Sequence, residues 1–133
     1  MKKPLFAIIG TPENPKQKNP KLLVRMAGIE IYLTHKSFEV LSILARARKS
    51  GINDGWVHCE ELQPGLNQAR YLWRMKSELR AAGLDIQIEN DRAFHYRLGH
   101  DPDSFGIAYA NLIDYPDARV RGFAESQYKE VPA

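Results

Sequence analysis

Apolar positions recur along this chain with two spacings, and each change of spacing marks an element. Leu5, Phe6, Ala7, Ile8 and Ile9 form a short apolar run that stops at Gly10, which predicts a buried strand. Residues 11–20 set Pro12, Pro15 and Pro20 among lysines and other polar residues and predict a loop. A second strand is expected at 22–25, a turn at 26–28, and a third strand at 29–33, where Ile29, Ile31 and Leu33 alternate. Together these make a small antiparallel sheet at the N-terminus. The spacing then lengthens. Thr34 is placed as an N-cap, and Phe38, Leu41, Leu44 and Ala45 step at helical intervals, flanked by Val40 and Ile43. Arg46, Arg48 and Lys49 suit the negative end of the helix dipole, and Ser50-Gly51 ends the helix. Residues 52–55 predict a turn and Trp56-Val57 a brief apolar link. A short second helix is expected over 58–63, with Glu60 and Glu61 in its first turns and Pro64-Gly65 closing it.

The stretch 67–83 reads as a complete amphipathic helix. Asn67 is placed to cap its first N–H groups, and Gly83 to enter the left-handed conformation at its end, with Leu84 falling on Leu79. Leu72, Met75 and Leu79 make the apolar face, while Arg70, Arg74, Ser77 and Ala81 lie opposite. Glu78 is the single acid among Arg70, Arg74, Lys76 and Arg80. Such a helix is either an ordinary solvated surface or a reader of the DNA major groove. Period-two alternation follows: Ile86 and Ile88, a turn at Asn90-Asp91, then Phe94, Tyr96 and Leu98, a β-hairpin pattern. A short helix, a capped helix and a hairpin in this order predict an α+β winged helix-turn-helix, with an N-terminal antiparallel sheet, three helices and a C-terminal hairpin wing. The winged-helix domain is drawn over 1–100, its strands in 5–33 and its helices and wing in 34–98. An extension follows over 101–133. Within it Phe105, Ala108, Tyr109, Leu112 and Ile113 fall on one helical stripe, with Asp103 or Ser104 as cap and Pro116 as stop. This 103–115 helix is expected to pack back on the domain, or to mediate homodimerisation or bind a protein partner. Residues 115–133 show no clear periodicity and are expected to be partly disordered.

Composition narrows the function classes. A chain of 133 residues can bury enough surface to fold without a metal or disulfide. Lys and Arg number 19 against 16 Asp and Glu, and the net charge of +3 permits nucleic-acid binding without demanding it. Lysines crowd the first stretch and aspartates the last, so the chain runs from basic to acidic. The lone Cys59 excludes an internal disulfide and fits a reducing compartment, so a cytoplasmic location is expected. The apolar run after Lys2 and Lys3 is too short for a signal peptide, and no run approaches a membrane span. His35, His58, His95 and His100 lack metal-ligand spacing, and Cys59 reads as a small buried residue. No paired-carboxylate or glycine-rich signature stands out, so no catalytic residue, metal or cofactor is expected.

Three segments carry a resemblance to a known family. Residues 33–41, LTHKSFEVL, resemble the "LT..EF.LL" opening of the first helix in the effector domain of OmpR/PhoB-type transcriptional response regulators. WVHCEEL at 56–62 is similar to the family's "VVSREEL". LWRMKSEL at 72–79, then 86–89 and RAFHYRL at 92–98, resemble "IRRLRKKL … I.TVRGVGYRL", the recognition helix and wing. The resemblance covers roughly the middle half of the chain, in the family's order. It implies that the 67–83 helix enters the major groove of duplex DNA and that the protein is a small transcriptional regulator. Matching positions are Tyr71, Trp73, Arg74 and Lys76 on the helix and Asn90 and Arg92 on the wing. Arg70 and Ser77 share the exposed face, and Asn67 can reach a phosphate from the helix start or simply cap it. Arg74 can pair bidentately with guanine or with a phosphate. Trp73 either joins this surface or packs on the first helix or sheet. The chain departs from the pattern in three ways. Ser37 replaces a Glu, so the reciprocal capping box is lost. Ala93 and His95 replace both wing glycines. No receiver domain fits before Leu22, so a phosphorylation switch within this chain is not expected. Glu89 and Asp91 beside Arg92 are expected to repel phosphates. The alternative is an interaction module that binds a protein through Trp73, Tyr71 or the tail helix.

Overall fold

The computed structural model describes residues 5–26, 28–62, 68–113, 115–116 and 120–121, an α+β structure. β1 (Phe6–Pro12), β2 (Leu22–Met26) and β3 (Ile29–Leu33) form an antiparallel meander. Gly10 does not stop β1. It takes φ +85°, where the pairing with β2 shifts register between Ile8 and Pro12, and the strand continues beyond it. A side chain at Gly10 would meet Leu112 Cδ2 at 2.6 Å, so close packing as well as the backbone angle requires glycine there.

α1 (His35–Ser50) ends as expected at Gly51, whose N–H donates to the Ala47 carbonyl at 3.2 Å. The residues from Ser37 to Ala45 are all buried, a wider coverage than the predicted stripe. The helix is central: it packs on α3 (Gln68–Ala81), on β6 (His95–Leu98) and on the tail, where Tyr115 lies 5.7 Å from Phe38. A helix covered on several sides needs apolar residues around most of its circumference. Its start is unusual. Thr34 makes no local side-chain cap; its N–H donates to Glu78 Oε1 of α3 at 2.8 Å and its hydroxyl to Oε2 at 2.9 Å. The buried Ser37 hydroxyl donates to the same Oε2.

Between α1 and α3 the backbone differs from expectation. Trp56-Val57 is not merely a link, and His58 is not helical. Val57–His58 form β4, opposite Tyr96 and His95 of β6, and α2 is confined to Cys59–Leu62. The β6 edge left free by β5 (Ile88–Asn90) recruits these two residues. The result is a three-stranded sheet in the order β4-β6-β5. The close of the second helix and the cap at Asn67 lie outside the described residues.

The tail corrects the sequence reading most. The helix over 103–115 is not formed. β7 (Phe105–Ile107) lies parallel to β1, pairing Phe6 with Phe105 and Ile8 with Ile107, and short 3-10 turns flank it at Pro102–Ser104 and Tyr109–Asn111. Two causes act together. Gly106 and Ile107 are poor helix formers, and β1 offers an open edge of unpaired backbone groups. Phe105 and Leu112 pack back into the domain's own core, as one of the two expectations for this stripe had it, though not as a helix. The 103–115 helix therefore offers no dimer or partner face, and 105–107 belong to the main sheet rather than to an extension. Among the described residues no helix is long and apolar enough to cross a membrane.

Candidate nucleic-acid interface

α3 separates its side chains as its spacing predicts. Leu72, Met75 and Leu79 are buried, while Arg70, Trp73, Arg74, Ser77 and Arg80 are exposed. The helix ends at Gly83 in the expected form: the Leu84 N–H donates to the Leu79 carbonyl and the Gly83 N–H to the Arg80 carbonyl, both at 2.9 Å, with Leu84 buried beside Leu79. Trp73 does not pack on α1 or the sheet. It is 64% exposed, in the middle of the basic face, with Lys76 Nζ 5.9 Å from its ring centre. Tyr71 turns the other way and packs, half buried, against the core. Arg80 is drawn to Asp85 at 3.4 Å. Glu78 leaves this surface for the start of α1, so the exposed face of α3 carries cations, Trp73 and Ser77 but no carboxylate.

The hairpin lies beside α3 across an open groove of about 310 Å³. Ala69, Leu72, Trp73 and Lys76 line it from the helix, and Ile88, Asn90 and Tyr96 from the strands. The structure thus gathers Trp73, Lys76 and Asn90 on one groove, with Arg70, Arg74 and Ser77 on the adjoining helix face and Arg92 at the hairpin tip.

The two acids of the hairpin, Glu89 and Asp91, are engaged within the fold. Glu89 makes a two-point contact with Arg97, 3.2 Å to Nε and 2.9 Å to Nη2. That bond with Arg97 holds the Glu89 carboxyl below the usual carboxylate range and raises the guanidinium in turn. Arg97 also reaches Asp54 at 2.6 Å and lies over the Trp56 ring at 4.5 Å. Asp91 accepts from the Ala93 N–H at 2.7 Å and the His95 N–H at 3.0 Å, and meets His95 Nδ1 at 2.9 Å. Desolvation pushes the Asp91 carboxyl up, but the two amides and the His95 ring outweigh it and hold it below its ordinary value. The fold ties Glu89 to a cation, Arg97, whereas Asp91 binds neutral amides and the His95 ring and keeps its negative charge beside Arg92. At the tip, the Arg92 side chain is exposed, and Asn90 Oδ1 accepts from its N–H at 2.7 Å.

Glu78 and Phe94 are the residues that the sequence reading missed. Glu78 had a signal, as the one acid on a basic helix. The alternation places Phe94 with Tyr96 and Leu98 on the inner side, but β6 begins only at His95. Phe94 stands in the turn with φ +71° and is 72% exposed. Arg92 has φ +63°, so the left-handed conformations fall one residue before each expected glycine position. Asp91, two and four residues before the amides it binds, was the available sign that the turn extends this far.

No family model, curated protein or solved structure matches the chain.

Proposed function

We propose that this chain is a winged helix-turn-helix protein that binds duplex DNA and regulates transcription. The observation that supports it best is the face of α3: Arg70, Trp73, Arg74 and Ser77 are exposed together while the helix's one acid caps α1. A carboxylate-free cationic helix about 10–12 Å across suits a major groove about 12 Å wide. In this reading Arg74 and Arg70 address base edges and phosphates, Lys76 and Asn90 face the backbone along the groove, and Arg92 reaches the adjacent minor groove. Of the two hairpin acids, Glu89 is partly offset by Arg97, while Asp91, bound by neutral amides, keeps its charge beside Arg92 and opposes binding there.

Binding to a random-sequence duplex pool, measured at roughly 50 and 200 mM salt, tests the reading. Steep loss of affinity with salt is expected, because bound Lys and Arg displace counterions. Arg74→Ala should weaken binding by about 1–3 kcal/mol and relax sequence preference, with thermal stability unchanged. Absence of affinity at the lower salt defeats the DNA reading. One observation favours a second reading, a protein-interaction module: Trp73 and Phe94 are both large, apolar and exposed.

A further inference from the structure

The hairpin tip departs from ordinary surface chemistry twice at one residue. A phenylalanine with 72% of its surface in water forgoes the burial that its ring would gain elsewhere. The same residue holds φ +71°, a region that L side chains rarely adopt. Neither feature is looseness. The Phe94 carbonyl accepts from the Cys59 N–H at 2.8 Å, tying the tip to the start of α2. Asp91 binds the amides on either side, of Ala93 and His95, and the His95 ring packs edge-on against His58 at 5.3 Å. The ring is therefore presented outward by a backbone fixed on both flanks.

What it is presented to follows from its neighbours. Arg92 stands two residues away and is exposed, while Glu89 is ion-paired with Arg97 and Asp91 binds the hairpin's own amides. The tip thus couples an apolar ring with a cation, and its Asn90 shoulder shares the groove with Trp73 and Lys76 of α3. A polyanion with a narrow groove and apolar stacked interior fits that pairing. We infer that Phe94 is a minor-groove wedge: Arg92 enters the groove of the duplex held by α3, and the Phe94 ring inserts between base pairs, unstacking one step and kinking the DNA. The inference rests on the DNA-binding reading above. Apolar wedges of this kind kink DNA by roughly 20–90°, and pyrimidine–purine steps yield most readily. Sites with a TA or CA step under the tip are therefore preferred.

The probe is a duplex of about 30 bp carrying the best sequence selected from a random pool, with a dye at each end. Wild-type protein should raise energy transfer between the dyes, and 2-aminopurine at the step under the tip should brighten as it unstacks. Phe94→Gly removes the wedge and relieves the backbone, so the variant should melt no lower than wild type. It should bind with affinity reduced by about tenfold or less and leave the duplex straight. Phe94→Leu, which keeps an apolar wedge, should still bend it. If Phe94→Gly bends DNA as wild type does, or if wild type binds without bending, the wedge is overturned and the DNA reading stands. If wild type binds no duplex at low salt, both fall.

Discussion

The start of α1 and the tip of the β5–β6 hairpin each lack the residue that a local rule favours, and they meet the lack differently. At α1, Ser37 stands where a capping box would place Glu or Gln. The acceptor arrives from 44 residues away, as Glu78 takes the Thr34 N–H and two hydroxyls. The substitute satisfies the Thr34 N–H and also joins α1 to α3, with no left-handed residue at the helix start. At the hairpin tip, Arg92 and Phe94 take left-handed angles that glycine would adopt without strain. Asp91 supports the turn but cannot remove the clash of a Cβ with its own backbone. One site holds the fold together; the other keeps a cost that the fold does not need.

The largest effect that tests this contrast is expected from Glu78→Ala. It leaves the Thr34 N–H and the buried Ser37 hydroxyl without their acceptor and should destabilise by about 2–3 kcal/mol, read as a lower urea midpoint with unchanged slope. Glu78→Gln keeps an acceptor and should lose about half as much; an equal loss would show that charge rather than capping matters. Next comes Arg92→Gly, expected to raise stability by about 0.5–1 kcal/mol in the same measurement, strain relief outweighing the added freedom of the unfolded chain. A fall in stability would mean that the tip is not strained, and the contrast would collapse.

Acid should loosen the hairpin. Glu89 and Asp91 both have carboxyls depressed by their partners. Their contribution is complete above the ordinary carboxylate pKa of about 4 and is lost as pH falls through the lower folded values. Amide exchange at Ala93 and His95 should quicken in that window, and Asp91→Asn should quicken it already at neutral pH. The smallest effect concerns His100, whose ring is pushed down by burial, with Asp85 opposing. Its Nε2 accepts the Gln87 N–H at 2.8 Å, which only the neutral ring can do. A depressed histidine gives stability that is present above the unfolded value near 6.5 and erodes as pH falls below it. His100→Asn should flatten the stability profile there.

The main helices, set by near neighbours, could be read from the sequence. Leu72, Met75, Leu79 and Gly83 define α3 and its end through contacts within a turn or two, and all behave as their spacing predicts. What depended on distant partners could not. The stripe at 105–113 fits a helix, but the open edge of β1, far away in sequence, makes Phe105–Ile107 a strand. The use of Glu78 required knowing that α3 crosses the start of α1. Phe94 was misplaced because alternation assumes a strand already begun, while Asp91 prolongs the turn to the very residue at issue. The exposure of Arg70 and Arg74 was legible as positions on a face. Trp73, three residues from Arg70 and one from Arg74, could have been assigned to that face by the same geometry.

The parallel pairing of β7 with β1 also bears on how the protein comes to be made. Phe6 stacks on Phe105 at 5.2 Å, and the Ala108 N–H donates to the Ile8 carbonyl at 2.8 Å, joining the first described strand to the last. During synthesis the helices and hairpin can assemble from local contacts, but β1 keeps a bare edge until residue 107 has left the ribosome. Closing so long a loop is slow, and an uncovered strand edge next to an unpaired phenylalanine invites pairing with another chain. A ribosome stalled after Leu98 would thus release a chain whose helices and hairpin are present and whose sheet is open to aggregation.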